Sequence, residues 1–190
     1  MKSKNIIAKG IQVVTFLFAG FGDFLFKVAP PGEADSSFAV GISSLLTLFV
    51  LLFISAVTKN YNQKVLKNIW LSSSLLFFIT TMASAAIYKE KLTAWTFSYP
   101  PETPQAQYIS GTVLTSMAEE YKFKNPQKTV AEIVAAFGGL ASLERVWTRD
   151  SIGYAKEILT VTYVLMVLSV SFMLFSLTEG LLVERTSQPK

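Results

Sequence analysis

The residues of this sequence with the clearest capacity for chemistry are an acid and a base, Asp23 and Lys27, in a hydrophobic run near the N-terminus. At a spacing of four they share one face of a helix, with the acid before the base, the order that best supports an ion pair. A charge near the centre of a bilayer costs roughly 2.5 to 3.5 kcal/mol, so such residues usually face a bundle interior or water. Both lie near one end of the run. The pattern therefore predicts either an ion pair at the membrane interface or a polar contact with a vestibule or a neighbouring subunit.

A second set of polar residues repeats near the C-terminus, where Thr162, Ser169 and Ser176 recur at intervals of seven. Seven residues are close to two helical turns, so the three hydroxyls lie along one face. Hydroxyls in such a stripe bond to carbonyls of their own helix or reach a neighbouring helix. Packing within a bundle or between identical subunits explains the pattern, and a hydrated path is the alternative. These residues are candidate pore-lining or subunit-contact residues.

Catalytic chemistry is restricted by what the sequence lacks. It contains no cysteine and no histidine, which excludes thiol nucleophiles, zinc sites built from Cys and His, and every general base that needs imidazole. A Gly-rich nucleotide-binding loop ending in Lys-Ser or Lys-Thr is also missing. The sequence therefore predicts a protein that is not an enzyme and that uses no cofactor and no metal.

The polar residues are positioned by long apolar segments. A membrane span needs about 20 mostly apolar residues, and 51% of this chain is hydrophobic. Four segments qualify: 6–26, 38–57, 69–87 and 158–178. We predict an all-α membrane protein with four transmembrane helices and a small helical insertion between helices three and four. The predicted divisions are 1–88 for the first three helices, 89–155 for the insertion, 156–182 for the fourth helix and 183–190 for the tail.

Basic residues around these segments predict their orientation, because short cytoplasmic loops retain Lys and Arg whereas short exported loops lack them. Lysines precede the first segment and fill the connection between the second and third, at Lys59, Lys64 and Lys67. The connection between the first two segments instead carries Glu33 and Asp35. We therefore expect a bacterial inner-membrane protein with both termini cytoplasmic and a periplasmic insertion. The three loop lysines are candidate contacts for a cytoplasmic partner or for anionic lipid.

The first part of the insertion is rich in helix breakers. The proline-rich stretch 98–104 predicts an extended elbow, because it cannot continue a helix or form a central strand. Apolar residues over 105–123 recur mostly at intervals of three to five, which predicts a helix. Asn125 followed by Pro126 then predicts the start of an amphipathic helix that runs to residue 147.

The second part of the insertion leads into the fourth span. The glycine pair at 138–139 is expected to bend the amphipathic helix or to admit a close neighbour. Asp150-Ser151 predicts the start of a last helix that continues into the fourth span without a breaker. Aromatic side chains in the insertion serve packing, an interfacial belt or partner contact. The candidate periplasmic contacts are Tyr99, Tyr108 and Trp147.

Three classes of function fit these features. The first is a membrane subunit that senses events at the outer face and signals to a cytoplasmic partner. The second is a homo-oligomeric pore or small transporter, and the third is a membrane anchor or assembly scaffold. Spans one and two are close together whereas spans three and four are about 70 residues apart, so no internal repeat of the kind common in transporters is visible. That asymmetry favours the sensor.

The layout of the whole chain resembles KwaA, the membrane-subunit family of the Kiwa anti-phage defence system. The shared features are four spans in about 190 residues, small cytoplasmic faces and a helical exported insertion before the last span. The resemblance implies a homo-oligomer, a tetramer, that detects phage attachment or envelope disturbance without binding nucleic acid itself. It also implies a cytoplasmic DNA-binding effector, KwaB, as partner. The stretch Gly138–Trp147 is distinctive but has no role that can be assigned from the resemblance.

Overall fold

The computed structural model describes residues 27–57, 63–102 and 106–187, together with Thr15, Gly22 and Leu25. The described part of the chain is mostly helical. Apart from those three residues, the segment predicted as the first span lies outside the described residues. Elements are therefore numbered from the first helix whose bounds are described.

Six helices and two strands follow one another through the described residues. In chain order they are α1 (Glu33–Val57), α2 (Gln63–Trp95), β1 (Thr96–Tyr99), β2 (Ala106–Ile109), α3 (Ser116–Lys124), α4 (Val130–Ala136), α5 (Leu143–Val146) and α6 (Arg149–Ser187). A turn of 3-10 helix, Leu140–Ser142, immediately precedes α5.

Among the described residues, three helices are long and apolar enough to cross a membrane. The qualifying stretches are Ser36–Ile54 in α1, Val65–Trp95 in α2 and Arg149–Leu181 in α6. They contain most or all of the second, third and fourth predicted spans. A hydrocarbon core about 30 Å thick needs roughly 20 residues of helix. With 33 and 39 residues, α2 and α6 are longer than one crossing requires.

The chain divides into two compact units. The helix unit consists of Met1–Ala29, Ser37–Ala86 and Tyr163–Lys190, and the hairpin unit consists of Pro30–Ser36 and Ile87–Thr162. The hairpin unit thus includes the short connection before α1 as well as the segment between α2 and α6. This differs from the predicted division, in which that connection belongs to the membrane-spanning part of the chain, residues 1–88.

The helix unit has a core of large apolar side chains from α1, α2 and α6. Leu51, Leu66, Trp70, Phe172 and Phe175 form one buried cluster. The Trp70 and Phe175 rings meet edge to face with their centroids 5.6 Å apart, an arrangement that aromatic pairs favour. These contacts come from all three helices, so burial of the cluster requires their joint packing.

Small residues on α1 form a second contact surface in the helix unit. Ala39, Ser43 and Thr47 are fully buried, and small residues of this kind let helices pack closely. The Ser43 hydroxyl donates to the Ala39 carbonyl at 2.6 Å, and the Thr47 hydroxyl donates to the Ser43 carbonyl at 2.7 Å. Because each hydroxyl is satisfied by its own helix, this face packs as though it were apolar.

Large apolar side chains cover the outer faces of the same helices. A soluble protein rarely exposes so many large apolar side chains on adjoining surfaces, because water solvates them poorly. In a membrane the hydrocarbon solvates the same side chains without cost. Those at least 46% exposed in the apolar parts of α1, α2 and α6 are Phe38, Leu45, Phe49, Phe53, Val65, Ile69, Leu75, Leu76, Phe78, Ile79, Met82, Ile87, Val161, Leu165 and Leu181. These surfaces are suited to contact with lipid acyl chains.

The Tyr163 hydroxyl joins α6 to the chain before α1. It donates to the Leu25 carbonyl at 3.0 Å, and Tyr163 is fully buried. Helix geometry is present at Leu25, Lys27 and Val28 and ends before Pro30. The last carbonyls of a helix have no partner within it, so this hydroxyl supplies a donor that the helix end lacks.

Tyr163→Phe is expected to lower the free energy of unfolding by about 1 kcal/mol, because it removes a donor from the partly buried hydrogen bond to the Leu25 carbonyl. Unfolding in detergent micelles measures the change. Tyr154→Phe is the matched control, since Tyr154 is 53% exposed and loses only a solvated hydroxyl. Equal stability of the two variants would show that the bond between Tyr163 and Leu25 contributes nothing.

The hairpin unit is not entirely helical, so the all-α prediction is wrong for its first part. Strands β1 and β2 pair antiparallel, with Thr96 opposite Ile109 and Phe97 opposite Tyr108. The strands are rich in β-branched and aromatic residues, which favour extended backbone. The prolines predicted to form an elbow lie between the two strands, where a lost backbone donor does not interrupt the pairing.

The predicted helix over 105–123 is accordingly wrong in its first half and correct in its second. Helix α3 begins only at Ser116, where the Thr115 hydroxyl caps it by accepting from the Ala118 N–H at 3.3 Å. The start predicted at Asn125 is also wrong, because that residue is the C-cap of α3. A helix of nine residues, α3, thus replaces the longer helix predicted over 105–123.

The next helix, α4, starts at a capping box that was not among the predicted helix starts. The Thr129 hydroxyl accepts from the Glu132 N–H, and the Glu132 carboxylate accepts from the Thr129 N–H. This reciprocal pairing satisfies two of the donors that a helix start leaves open. Asn125-Pro126 offered a similar sequence signal, but Thr129 and Glu132 have the spacing that closes both bonds.

Candidate binding site in the hairpin unit

The predicted intramembrane polar residues are only partly described. Asp23 lies outside the described residues, and Lys27 is exposed at the end of a helix. Ser169 and Ser176 are buried, at 3% and 2% exposure, and the Ser169 hydroxyl donates to the Leu165 carbonyl at 2.8 Å. Thr162 is partly buried and donates to the Ile158 carbonyl. Burial and back-bonding suit packing within the chain, so the pore and subunit assignments stay predictions.

The predicted cytoplasmic lysines are also only partly described. Lys59 and the side chain of Lys64 lie outside the described residues, whereas Lys67 is partly buried near the start of α2. Their role as partner or lipid contacts stays a prediction. In the described part of the chain, no group of three or more acidic residues is arranged to hold a metal ion.

The three predicted periplasmic contacts lie in or against the core of the hairpin unit. Trp147 is 5% exposed, and its ring lies 5.5 Å from that of Phe97, which in turn lies 6.1 Å from Tyr108. Tyr99 and Tyr108 are partly buried and pack against the same core. Trp147 is therefore a core residue with almost no surface to offer a partner, whereas the two tyrosines keep an exposed edge.

The distinctive stretch after α4 turns the chain sharply. Gly138 and Gly139 both have positive φ angles, 103° and 75°, a region that other residues rarely adopt. The Gly139 N–H donates to the Val134 carbonyl at 2.8 Å, which satisfies one of the carbonyls at the end of α4. The predicted bend is thus a helix stop, because two consecutive left-handed residues cannot continue a right-handed helix.

This turn places the following residues on the wall of a cavity within the hairpin unit. The cavity has a volume of about 390 Å³, in the lower part of the range that ligand pockets occupy. Its walls come from four separate parts of the sequence. They are formed by Pro31, Gly32, Tyr108, Ile109, Leu140, Ala141, Leu143, Glu144, Ile152 and Lys156.

The cavity combines an apolar wall with two opposite charges. Glu144 and Lys156 are both exposed, which places their charged ends where water reaches the site. Arg149 approaches Glu144 at 3.6 Å, with the two side chains 86% and 68% exposed. A pair so exposed contributes little stability, and the carboxylate keeps the capacity to accept further hydrogen bonds.

Tyr108 is a predicted contact residue that lines the cavity, but the cavity as a whole could not be predicted from the sequence. Its walls combine residues about 125 positions apart, and no local pattern encodes that proximity. A partial signal was present, because Leu140, Leu143 and Glu144 have the spacing of one helix face directly after a glycine pair.

Among the described residues of this unit, the Glu132 carboxylate is the group whose pKa is most perturbed. The Thr129 N–H donates to it at 2.8 Å, and the Lys128 ammonium donates at 3.0 Å. These bonds, the backbone bond first, lower the pKa of Glu132 from 4.5 to about 2. Since the folded pKa lies below the unfolded one, the stabilisation is complete above about pH 4.5 and is lost as the pH falls toward 2.

Protection of the α4 amides from hydrogen exchange, corrected for intrinsic rates, is therefore expected to decline between pH 4.5 and pH 2. Glu132→Gln should be less protected at neutral pH and should lose most of this dependence, because it carries no titrating group at the cap. Glu119→Gln, an acid in the first turn of α3, is the control. A decline that persists in Glu132→Gln would assign the titration to another group.

Comparison with known proteins identifies no relative. No protein-family model matches the chain, and the searches of curated proteins and of solved structures return no similar protein.

Proposed function

We propose that this chain is a non-catalytic inner-membrane subunit that detects events at the outer face and signals to a cytoplasmic effector. The observation that supports this most is the continuity of α6. That one helix contributes residues up to Thr162 to the hairpin unit and residues from Tyr163 onward to the helix unit. A continuous helix is a rigid element, so a movement at one end can bias the arrangement at the other.

The proposed topology has four spans, cytoplasmic termini and a periplasmic hairpin unit. Three apolar helices support it, and the apolar run at 6–26 supplies the fourth span. Lysines at 59, 64 and 67 between the second and third spans favour a cytoplasmic location for that loop. The same lysines form the proposed surface for the effector.

The resemblance in layout to the Kiwa membrane subunit leads us to place this sensor in anti-phage defence. The proposed stimulus is phage attachment or envelope disturbance, the proposed assembly is a homo-tetramer, and the proposed partner is a cytoplasmic effector of the KwaB type.

Fusions to alkaline phosphatase test the topology, because that enzyme is active only after export. A fusion at Gln105 is expected to be active and a fusion at Asn62 inactive. The opposite pattern would place the hairpin unit in the cytoplasm and would remove the proposed outer-face sensor.

Phage challenge tests the signalling role. Cells that carry the chain together with an effector gene from its neighbourhood are expected to resist infection, whereas cells with either gene alone are expected to be sensitive. Resistance conferred by the effector alone would show that this chain is not its sensor. A chain with a stop codon after Met1 controls for gene dosage.

A further inference from the structure

Two of the long helices contain uncharged stretches of equal length. Residues 68–88 of α2 and 158–178 of α6 carry no charge, and each stretch has 21 residues. At 1.5 Å per residue each is about 32 Å long, close to the roughly 30 Å of hydrocarbon in a bilayer. Lys89 and Glu157 are the charged residues that adjoin these stretches at the ends nearest the hairpin unit in the sequence. A bilayer around these helices would therefore have one hydrocarbon boundary at the level of Lys89 and Glu157.

A cluster of two aromatic rings and a lysine lies directly beyond this level. The rings of Trp95, the last residue of α2, and Tyr154 of α6 have their centroids 6.1 Å apart, with the ring planes at 55°. The Nζ atom of Lys91 lies 5.0 Å from the centroid of the Trp95 ring, within the range of cation–π attraction. Lys91, Trp95 and Tyr154 are called the interface cluster below.

The height of the interface cluster can be counted along the two helices. Lys91 and Trp95 lie two and six positions beyond Lys89, and Tyr154 lies three positions beyond Glu157. Their Cα atoms are thus about 3, 9 and 4.5 Å beyond the boundary, and a headgroup layer is about 5 to 8 Å thick. Helical side chains lean toward the N-terminus of their helix, so the Trp95 ring lies closer to the boundary than its Cα atom does. These heights match the headgroup layer.

Packing of the hairpin unit does not account for the two rings. The apolar core described for this unit is built around Phe97 and Trp147 and includes neither Trp95 nor Tyr154. Tyr154 is 53% exposed, and Trp95 and Lys91 are partly exposed. A cation–π contact uses the face of the ring, and the Lys91 ammonium has three N–H donors to offer an acceptor. The cluster therefore presents aromatic surface and a donor to whatever surrounds it.

From this arrangement we propose that the interface cluster binds phospholipid headgroups. The rings of Trp95 and Tyr154 lie at the level of the glycerol and headgroup, where aromatic residues with an apolar body and a polar tip are enriched in membrane proteins. The Lys91 ammonium donates a charge-assisted hydrogen bond to the lipid phosphate. This inference rests on the membrane location in the proposed function, but not on signalling, on an effector or on which side of the membrane the hairpin unit occupies.

Fluorescence quenching by brominated phospholipids in nanodiscs tests the position of the rings, because bromine quenches only tryptophans that it approaches closely. The two tryptophans outside the cluster, Trp70 and Trp147, are 7% and 5% exposed and are shielded from lipid. Phospholipid brominated next to the glycerol is expected to quench the full chain more strongly than phospholipid brominated at the end of the acyl chain. Trp95→Phe should remove about half or more of this quenching.

Trp147→Phe is the control for this measurement, because it removes a buried ring and should leave the difference between the two lipids in place. Equal quenching of the unaltered chain and Trp95→Phe would overturn the proposal and would favour a protein partner for the two rings. Stronger quenching of Trp95 by bromine at the end of the acyl chain would also overturn it, since the ring would then lie in the hydrocarbon.

Thermal unfolding in maltoside micelles tests the contact between Lys91 and the phosphate. Phosphatidylglycerol is expected to raise the unfolding midpoint more than diacylglycerol, which has the same acyl chains but no phosphate. Lys91→Met should remove about half or more of that difference. Lys122→Met replaces an exposed lysine in the last turn of α3 and should keep the difference. Equal lipid effects on these two variants would show that the phosphate is not bound at Lys91.

Extraction of membranes with alkaline carbonate separates the failure of this inference from the failure of the proposed function. An integral membrane protein stays in the pellet whether or not the interface cluster contacts headgroups. Release of the chain into the supernatant would contradict the membrane location itself. A chain that is retained but shows no quenching dependent on Trp95 would contradict only the headgroup contact.

Discussion

Gly111→Ala is expected to destabilise the hairpin unit while leaving the apolar helices folded. A methyl group at this position would overlap Cβ of Trp147 and the hydroxyl of Ser151. Neither Trp147 nor Ser151 can move away from this position easily. Trp147 is 5% exposed and packs on Phe97, and the Ser151 hydroxyl donates to the Val113 and Thr148 carbonyls at 3.2 and 2.9 Å. Overpacking of this kind costs about 1 to 3 kcal/mol, a large part of the stability of so small a unit.

Gly153→Ala is the matched control for this substitution. Gly153 lies within α6, and a methyl group there would have no neighbour within 4 Å. Replacing glycine by alanine inside a helix stabilises it by roughly 0.5 to 1 kcal/mol. Limited proteolysis of the chain in micelles should therefore cleave the hairpin unit faster in Gly111→Ala and no faster in Gly153→Ala. Equal cleavage rates would contradict the close packing of Gly111.

The apolar helices could be predicted from the sequence because their signal does not depend on tertiary structure. A run of about 20 apolar residues forms a helix in a membrane whatever surrounds it, since each backbone group must find a partner within the segment. Predicted segments at 38–57, 69–87 and 158–178 accordingly fall within α1, α2 and α6. The start of α6 was predicted to within one residue of Arg149.

The hairpin could not be predicted with the same ease. Its strands have four residues each, too few for a clear alternation of apolar and polar positions. Tyr108 also fits a helical spacing with Val113 and Met117. In the structure it pairs with Phe97 on the other strand, so this segment is a strand and not a helix. A retrospective signal exists, because aromatic residues on either side of a proline-rich stretch match a hairpin with a long connection.

The role of Trp147 was the least accessible to sequence reasoning. As one of three tryptophans in the chain, it suggested a contact or interfacial residue. Its burial depends on residues far away in the sequence, including the isolated bridge between Leu114 and Trp147 and the absence of a side chain at Gly111. The cavity is hidden for the same reason, since its apolar and charged walls come from segments that only the fold brings together.

The second large effect is expected from breaking α6, which the proposed signalling requires to be continuous. Thr160→Pro removes a backbone donor and places a ring against the carbonyl four residues earlier, at a cost of about 3 kcal/mol or more in a helix interior. Thr160 belongs to the part of α6 in the hairpin unit and lies three positions before Tyr163, where the helix unit resumes. A kink here should uncouple the two parts of the helix.

Cells that carry Thr160→Pro are expected to lose phage resistance although the protein stays in the membrane at its usual level. Thr160→Ala, which removes the same side chain but keeps the helix, should retain resistance. Membrane fractionation and immunoblotting establish the level of each variant before the phage challenge. Full resistance with Thr160→Pro would show that α6 does not carry the signal, and the effector would then have to sense the hairpin unit by another route. Loss with both variants would instead assign the effect to the Thr160 side chain, because the helix is broken in only one of them.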